Sequence, residues 1–196
     1  MKLIERIDAA RERWNVLEHP FYTRWSCGEL TRDELAHYAG EYRHAVVALA
    51  DTARKTGHEE HAREEAEHVA LWDEFAAAFG AETDREPDAE TAECVVAWTA
   101  PENRREALAV MYAIEAGQPA VSQAKLDGLG EHYGVASDEP GAAYFALHSE
   151  RDHEHAAESR RELELVHNGD DDRLVEVAEA ALRGNWTLLD GVDARR

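Results

Sequence analysis

Cysteine is nearly absent. Cys27 and Cys94 are isolated and lack CxxC spacing, so neither a disulfide framework nor a zinc knuckle is indicated, and both are expected as free thiols. Lysine is almost as scarce: Lys2, Lys55 and Lys125 are the whole complement, and 42 acidic residues stand against 21 basic ones for a net charge of -21. Such a field repels polyanions, and binding to a phosphate backbone depends on cationic side chains, so nucleic acid is excluded as a partner. A Lys-poor acidic surface suits a salt-adapted, halophilic cytosol, where net charge keeps a protein soluble, and the acidity then says little about substrate. No stretch approaches the roughly 18 apolar residues of a membrane span, and the opening Met-Lys-Leu-Ile-Glu-Arg-Ile-Asp has no apolar signal core. A soluble, cytoplasmic protein is expected. With 12 glycines, 5 prolines and no Ser/Gly-rich linker or fixed-period repeat, nothing divides the chain into modules.

What is present is one core's worth of apolar residues in helical order. A chain of 196 residues with 44% hydrophobic content supports a single domain over 1-196. Leu3, Ile4, Ile7 and Trp14 predict a first amphipathic helix that ends before His19-Pro20-Phe21-Tyr22. Thr31-Arg32-Asp33-Glu34 is a capping box opening a helix to about Gly57, and another helix follows up to Gly80. Pro87-Asp88 and Pro101-Glu102 sit where helices should begin, since a first turn has no use for the amide that proline lacks. Gly117 and Pro119 mark the next break, and a segment through Lys125 and Leu129 leads to Tyr133-Gly134. Pro140-Gly141 precedes a long helix from about Ala142 to His167, closed by Gly169. From about Asp172 a last helix carries Leu174, Val175, Val177, Ala178, Ala181, Leu182, Trp186 and Leu189 as a buried stripe. No strand pattern competes, so the fold class is all-α, a bundle of about seven helices.

Three polar features stand where core is expected. In His148-Ser-Glu-Arg-Asp152-His-Glu-His155, ligand-type residues at i, i+4 and i+7 fall within roughly 60° of one another, at about 100° per residue. The stripe continues into Tyr144 and Phe145 upstream and Leu163 and Val166 downstream, which places it on the apolar side; the alternative is an outward-facing, solvated stripe on an acidic helix. Two imidazoles and a carboxylate buried without partners are costly, and a metal compensates all three together. His153, one residue out of phase, is expected in solvent. In the helix ending at Gly80, Glu65-x-x-His68 precedes Leu71, Trp72 and Phe75 at core spacing, the pair that carboxylate metal sites in bundles project inward. His61, Glu64 and Glu65 share the face of His68, and which of them reaches inward stays open. The run Ala107, Leu108, Val110, Met111, Ala113, Ile114 is apolar until Glu115, a lone acid that wants a cation. Three carboxylates and three imidazoles offset most of the charge of two divalent ions and suit iron or manganese better than a thiolate-seeking metal.

The residues also match a known pattern. His19-Pro-Phe-Tyr22-x-x-Trp25-x-x-Gly28-Glu-Leu, Tyr38-x-x-Glu-Tyr42, His68-x-x-Leu-Trp72, Glu115-x-x-Gln118-Pro119, Lys125-x-x-Gly128-Leu129 and Tyr144-Phe-x-x-His148-x3-Asp152-x2-His155-Ala156 occur in an order and spacing that resemble the haem-oxygenase-like di-iron oxidases. The nearest branch is the CADD-like one, related to the TenA and PqqC families, and the likeness runs from about residue 17 to 160. It implies a haem-oxygenase-like bundle and puts His68, Glu115, His148, Asp152 and His155 on the family's metal-ligand positions. For the sixth ligand, the CADD-like branch has a Glu where this chain has His61, whereas other branches use Glu-x-x-His, which selects Glu65. This chain also looks shorter than CADD-like proteins between Tyr42 and His68.

The resemblance further implies catalytic roles for Tyr22 and Lys125, two iron ions (or manganese), O2 as co-substrate, and a homodimer. CADD-like proteins are associated with making p-aminobenzoate for folate, with a protein tyrosine consumed and a lysine near the metals taking part; other branches act on small amines and fatty acids. Read without the resemblance, Tyr22 is a core aromatic beside Phe21 and Trp25, and Lys125 a side chain snorkelling to water. Trp25, Tyr38, Tyr42, Tyr112 and Tyr144 are expected as pocket walls. The leading expectation is a non-haem di-iron oxidase or oxygenase acting on a small metabolite or on its own tyrosine. A TenA-like thiamine-pyrimidine hydrolase would need a cysteine shortly before Glu115, where this chain reads Ala107-Leu-Ala-Val-Met111-Tyr. A non-catalytic metal-binding protein is the third reading.

Overall fold

The structure is a computed structural model in which residues 2-165 and 169-195 are described. Helix α1 spans Leu3–Arg13, α2 Pro20–Ser26, α3 Arg32–Lys55, α4 Glu59–Phe79, α5 Ala89–Thr99, α6 Arg104–Glu115, α7 Gln118–Gly128, α8 Ala143–Leu165 and α9 Asp171–Ala194. No strand occurs among the described residues, and none of these helices is long and apolar enough to cross a membrane.

Local chemistry sets most of the limits. The Thr31 hydroxyl accepts from the Glu34 amide while the Glu34 carboxylate accepts from the Thr31 amide, which closes the capping box of α3. Gly80, with φ of 76°, ends α4 in a left-handed turn that favours glycine. Asn103 caps α6 by accepting from the Glu106 amide, so that helix starts just after Pro101-Glu102. Pro20 opens α2 instead of extending a break. Its missing amide is harmless there, and buried His19 caps the turn: Nδ1 accepts from the Phe21 amide at 3.0 Å while Nε2 lies 3.0 Å from Asp190 on α9. The stretch after Leu165, including Val166 and His167, lies outside the described residues.

Every residue of α6 from Glu106 to Glu115 is buried, which makes it the axis against which α3, α8 and α9 pack. Helix α4 lies along α3 and also contacts α8, so α4, α6 and α8 face one another across the interior. On a second side, α2 and α7 meet where Trp25 lies across α7. The Trp25 indole nitrogen donates to the Lys125 carbonyl at 3.4 Å, and a Cβ added at Gly128 would sit 2.6 Å from Trp25 Cδ1. The pairing of Trp25 with Lys125-x-x-Gly128 in the sequence is thus one physical contact. Gly128→Ala is expected to destabilise the protein by about 1–3 kcal/mol through overpacking, while Gly130→Ala, which would meet nothing within 4 Å, should stay near neutral. Urea unfolding of the two variants checks this; equal midpoints would show that Trp25 has room to move.

Candidate metal centre

Helices α4 and α8 carry the same ligand spacing. His61, Glu65 and His68 lie at i, i+4 and i+7 on α4, as His148, Asp152 and His155 do on α8. The two stripes meet antiparallel: the His61 ring centroid is 4.0 Å from that of His155, and the His68 centroid 4.5 Å from that of His148. Glu115 closes the first end from α6, its Oε1 2.8 Å from His61 Nε2. At that end His61, Glu65, Glu115 and His155 offer donor atoms all within 4.8 Å of one another, and at the other Glu65, His68 and His148 do the same. Glu65 therefore belongs to both groups.

His61 and Glu65 are not alternatives. Both are buried and both face the cluster, because residues one helical turn apart share a face and α4 is flanked there by α6 and α8. Asp152 is 1% exposed but joins neither close group; it lies near enough to Glu115 and Glu65 for their charges to act on it. His153 is exposed, as its phase on the helix predicts. Two supporting groups escape sequence reasoning. The Tyr144 carbonyl accepts from His148 Nδ1 at 2.6 Å, which leaves Nε2 as the inward nitrogen, and Glu64 Oε2 stands 3.2 Å from His155 Nε2. Tyr144 precedes His148 by one turn, so that contact could have been anticipated from spacing; Glu64, which shares its face with His61 and Glu65, could not.

Beside the His68–His148 end lies an aromatic box around Lys125. Its side chain does not snorkel outward: the residue is 2% exposed, and Nζ sits 4.9 to 5.6 Å from the ring centroids of Tyr22, Tyr38, Tyr42, Trp72 and Phe145. Its one polar partner in the box is the Tyr38 hydroxyl. Burial holds the Lys125 amine well below its ordinary pKa and pushes the Tyr22, Tyr38 and Tyr144 phenols well above theirs. Tyr144 joins box to cluster, stacked on His148 at 3.9 Å and edge-on to Trp72 at 5.0 Å. Trp25 and Tyr42 also wall the box. Tyr112 does not belong with them; its hydroxyl donates to Asp8 on α1 at 2.7 Å.

A family model described as "Iron-containing redox enzyme" matches residues 30–189. The chain belongs to this family. Among curated relatives, a protein named 4-aminobenzoate synthase from Chlamydia muridarum is 30% identical, covering 97% of this chain and 89% of its own length. One of the same name from Nitrosomonas europaea is 29% identical over 96% of this chain and 89% of its own. Among solved structures, a domain of unknown function with a heme oxygenase-like fold from Shewanella denitrificans superposes with a TM-score of 0.78 at 21% identity, covering 99% of this chain and 93% of that one. A TenA homologue from P. horikoshii gives 0.76 at 14%, with 98% of each chain covered. The fold is haem-oxygenase-like, and the chain is an oxidoreductase of the iron-containing family.

The side chains present fit the iron of that family. Buried and without a hydrogen-bond partner are Glu115 Oε2, His148 Nε2, Asp152 Oδ2 and His155 Nδ1, while His61 Nε2 and His68 Nδ1 meet only carboxylates of the cluster, Glu115 at 2.8 Å and Glu65 at 3.1 Å. Unsatisfied buried polar atoms are rare because each is costly, and several converging on one point suit the ligation of a cation. Charge tells the same story. Burial, reinforced by Glu115 and Glu65, pushes the Asp152 carboxyl up to about 9, and burial raises Glu115 to about 7 against the pull of His61. Burial disfavours a charged His61, but the carboxylates of Glu115 and Glu65 outweigh it and hold that imidazole at about 10. Burial likewise opposes the Glu65 carboxylate, and His61 and His68 overcome it, holding Glu65 well below the carboxylate range.

At pH 7 the metal-free centre therefore carries protons on His61, on Asp152 and on part of the Glu115 population, all of which ligation must remove. Divalent metal uptake at pH 7 is expected to release about two to three protons per chain, and affinity should strengthen as pH rises from about 6 toward 9. Calorimetric titration in two buffers of different ionisation enthalpy reads the proton count directly. Heats that do not change with buffer would refute the prediction.

Proposed function

We propose that the chain is a di-iron oxidase that activates O2 between α4, α6 and α8 and directs the oxidation at its own Tyr22, in the direction of p-aminobenzoate. The observation that carries this reading is Lys125, one of only three lysines in the sequence, buried with Tyr22 in an aromatic box that abuts the metal-binding side chains. A buried amine unpaired with any carboxylate is unfavourable for stability, so its placement calls for a chemical use. The relatives named 4-aminobenzoate synthase match this chain over nearly its whole length, which supports the same product class.

His61, Glu65, His68, Glu115, His148, Asp152 and His155 would hold the iron, which when bound would supply the redox chemistry for reducing O2 and oxidising a neighbouring group. The chain's own residues do the rest. Burial disfavours the charged form of the Lys125 amine, and its bond to the Tyr38 hydroxyl fixes where it points. The surrounding rings keep water from both Lys125 and Tyr22. Trp72 and Tyr144 form a continuous aromatic contact from the box to His148, a path along which an electron can leave a phenol.

A hydrolase of the TenA kind needs an accessible thiol. Cys94 is fully buried with its thiol pushed up by burial, and exposed Cys27 lies just past the end of α2, so neither serves. A purely structural metal site leaves Lys125 unexplained.

The test is to load metal-free protein with Fe(II) under anaerobic conditions, admit O2 and map peptide masses. Oxygen uptake with a mass change localised to Tyr22 or Lys125 is the expected result. Oxygen uptake with both residues intact and an added small molecule turned over would replace self-modification by ordinary oxygenation, and no oxygen uptake would remove the oxidase reading.

A further inference from the structure

Two side chains of the centre, His61 and His155, also line a cleft of about 520 Å³ between the first turns of α4 and the middle of α8. Five carboxylates share that lining, Glu59, Glu60, Glu64, Glu154 and Glu158, against a single guanidinium, Arg151. The cleft ends on buried donors: His61 is 7% exposed with its Nε2 2.8 Å from Glu115 Oε1 of the centre, and His155 Nδ1 has no hydrogen-bond partner. No donor of the centre lines the cleft of about 470 Å³ between α1 and α7.

We propose that the α4–α8 cleft is the port through which divalent iron reaches the centre, with Glu64 and His155 as its inner gate. The proposal rests on the reading that the centre holds metal. A concave surface lined by charge of one sign, with low-dielectric walls, concentrates counter-ions and raises their association rate. Glu64 then links rim to interior. One of its oxygens takes the Arg151 guanidinium at 2.9 Å, and the other stands 3.2 Å from His155 Nε2. Arg151 is half exposed, so it swings into solvent with little loss as a dication arrives and leaves Glu64 to hand the ion to His155. The neighbouring group of His58, Glu158 and Glu162 is already met by Arg104, which bonds Glu162 at 2.5 Å, and takes no part as a stopping point.

Stopped-flow uptake of Co(II) by the metal-free full chain tests the port without any reading of activity. The cleft variant combines Glu59→Gln, Glu60→Gln, Glu154→Gln and Glu158→Gln, all exposed and none a donor of the centre. A control with the same loss of charge elsewhere combines Glu12→Gln, Asp127→Asn, Glu131→Gln and Asp138→Asn, also exposed. The cleft variant is expected to take up Co(II) about tenfold more slowly with unchanged final stoichiometry, and the control less than twofold more slowly. Arg151→Gln alone should speed uptake. Equal rates in the two charge variants would overturn the port and leave the centre standing, as would a lowered stoichiometry in the cleft variant, which would make those acids ligands. Wild-type protein that binds no Co(II) would remove the centre and the port together.

Discussion

Glu65→Ala is expected to lower bound iron from the two ions per chain proposed for the centre to well under one, the largest loss from any single substitution there. The reason is its double membership. Glu65 stands 3.1 Å from His68 and 3.7 Å from His61, and it offers an oxygen to each of the two donor groups. Removing it leaves one group with two imidazoles and the other without its central carboxylate. Even groups that only orient a ligand change metal affinity by about 10–100-fold, so losing a shared donor should exceed that. Asp152→Ala, outside both close groups, is expected to drop iron clearly below two per chain yet less severely. Metal analysis of anaerobically loaded protein decides the ranking. A Glu65→Ala chain that keeps both ions would mean the two groups do not share a donor.

Lys125→Met should move stability and chemistry in opposite directions. Methionine matches the shape of the lysine stem and removes a polar group that the aromatic box does not solvate, so a gain of about 1–3 kcal/mol is expected. Tyr38 and Tyr22 remain neighbours able to bond each other. Wild-type stability should also depend on pH through this residue. Because burial lowers the folded-state pKa of Lys125 below the ordinary 10.5, the unfolded chain binds more protons, and stability rises with pH until it levels near that value. The Met variant should lose this slope. It should also consume O2 without the mass change at Tyr22 expected of the native chain. Urea unfolding between pH 6 and 10, with peptide mapping, checks both halves; a less stable variant with the slope intact would mean that Lys125 is solvated in the native protein.

Helix limits were legible in this sequence wherever a side chain caps a helix end, as Thr31 does, or a glycine closes one, as Gly80 does. The stripe of His148, Asp152 and His155 was equally legible, since its continuation into Tyr144, Phe145 and Leu163 fixes which way it faces, and all three of those neighbours are buried. On α4 the same logic stalls. His61, Glu64 and Glu65 crowd one face, and only the positions of α6 and α8 around it decide that His61 and Glu65 turn to the cluster while Glu64 braces His155 from outside. Lys125 was ambiguous for a related reason. A lysine on an amphipathic segment reads as solvated unless one knows that α2, α3, α4 and α8 deliver five rings to its tip. The short helix α2 went unread because proline there starts a turn that the capping by His19 stabilises.

The antiparallel match of two identical ligand spacings makes the centre nearly twofold, and Glu115 breaks that symmetry. Its carboxylate serves only the His61–His155 end, which is richer in negative charge and nearer the solvent; the His68–His148 end is poorer in charge and adjoins Lys125. The two positions are thus unequal customers for a scarce cation. If the centre takes two ions as proposed, a chain short of iron is expected to fill the outer position first and leave the one beside Lys125 and Tyr22 empty, so half-loaded protein should be inert and not half-active.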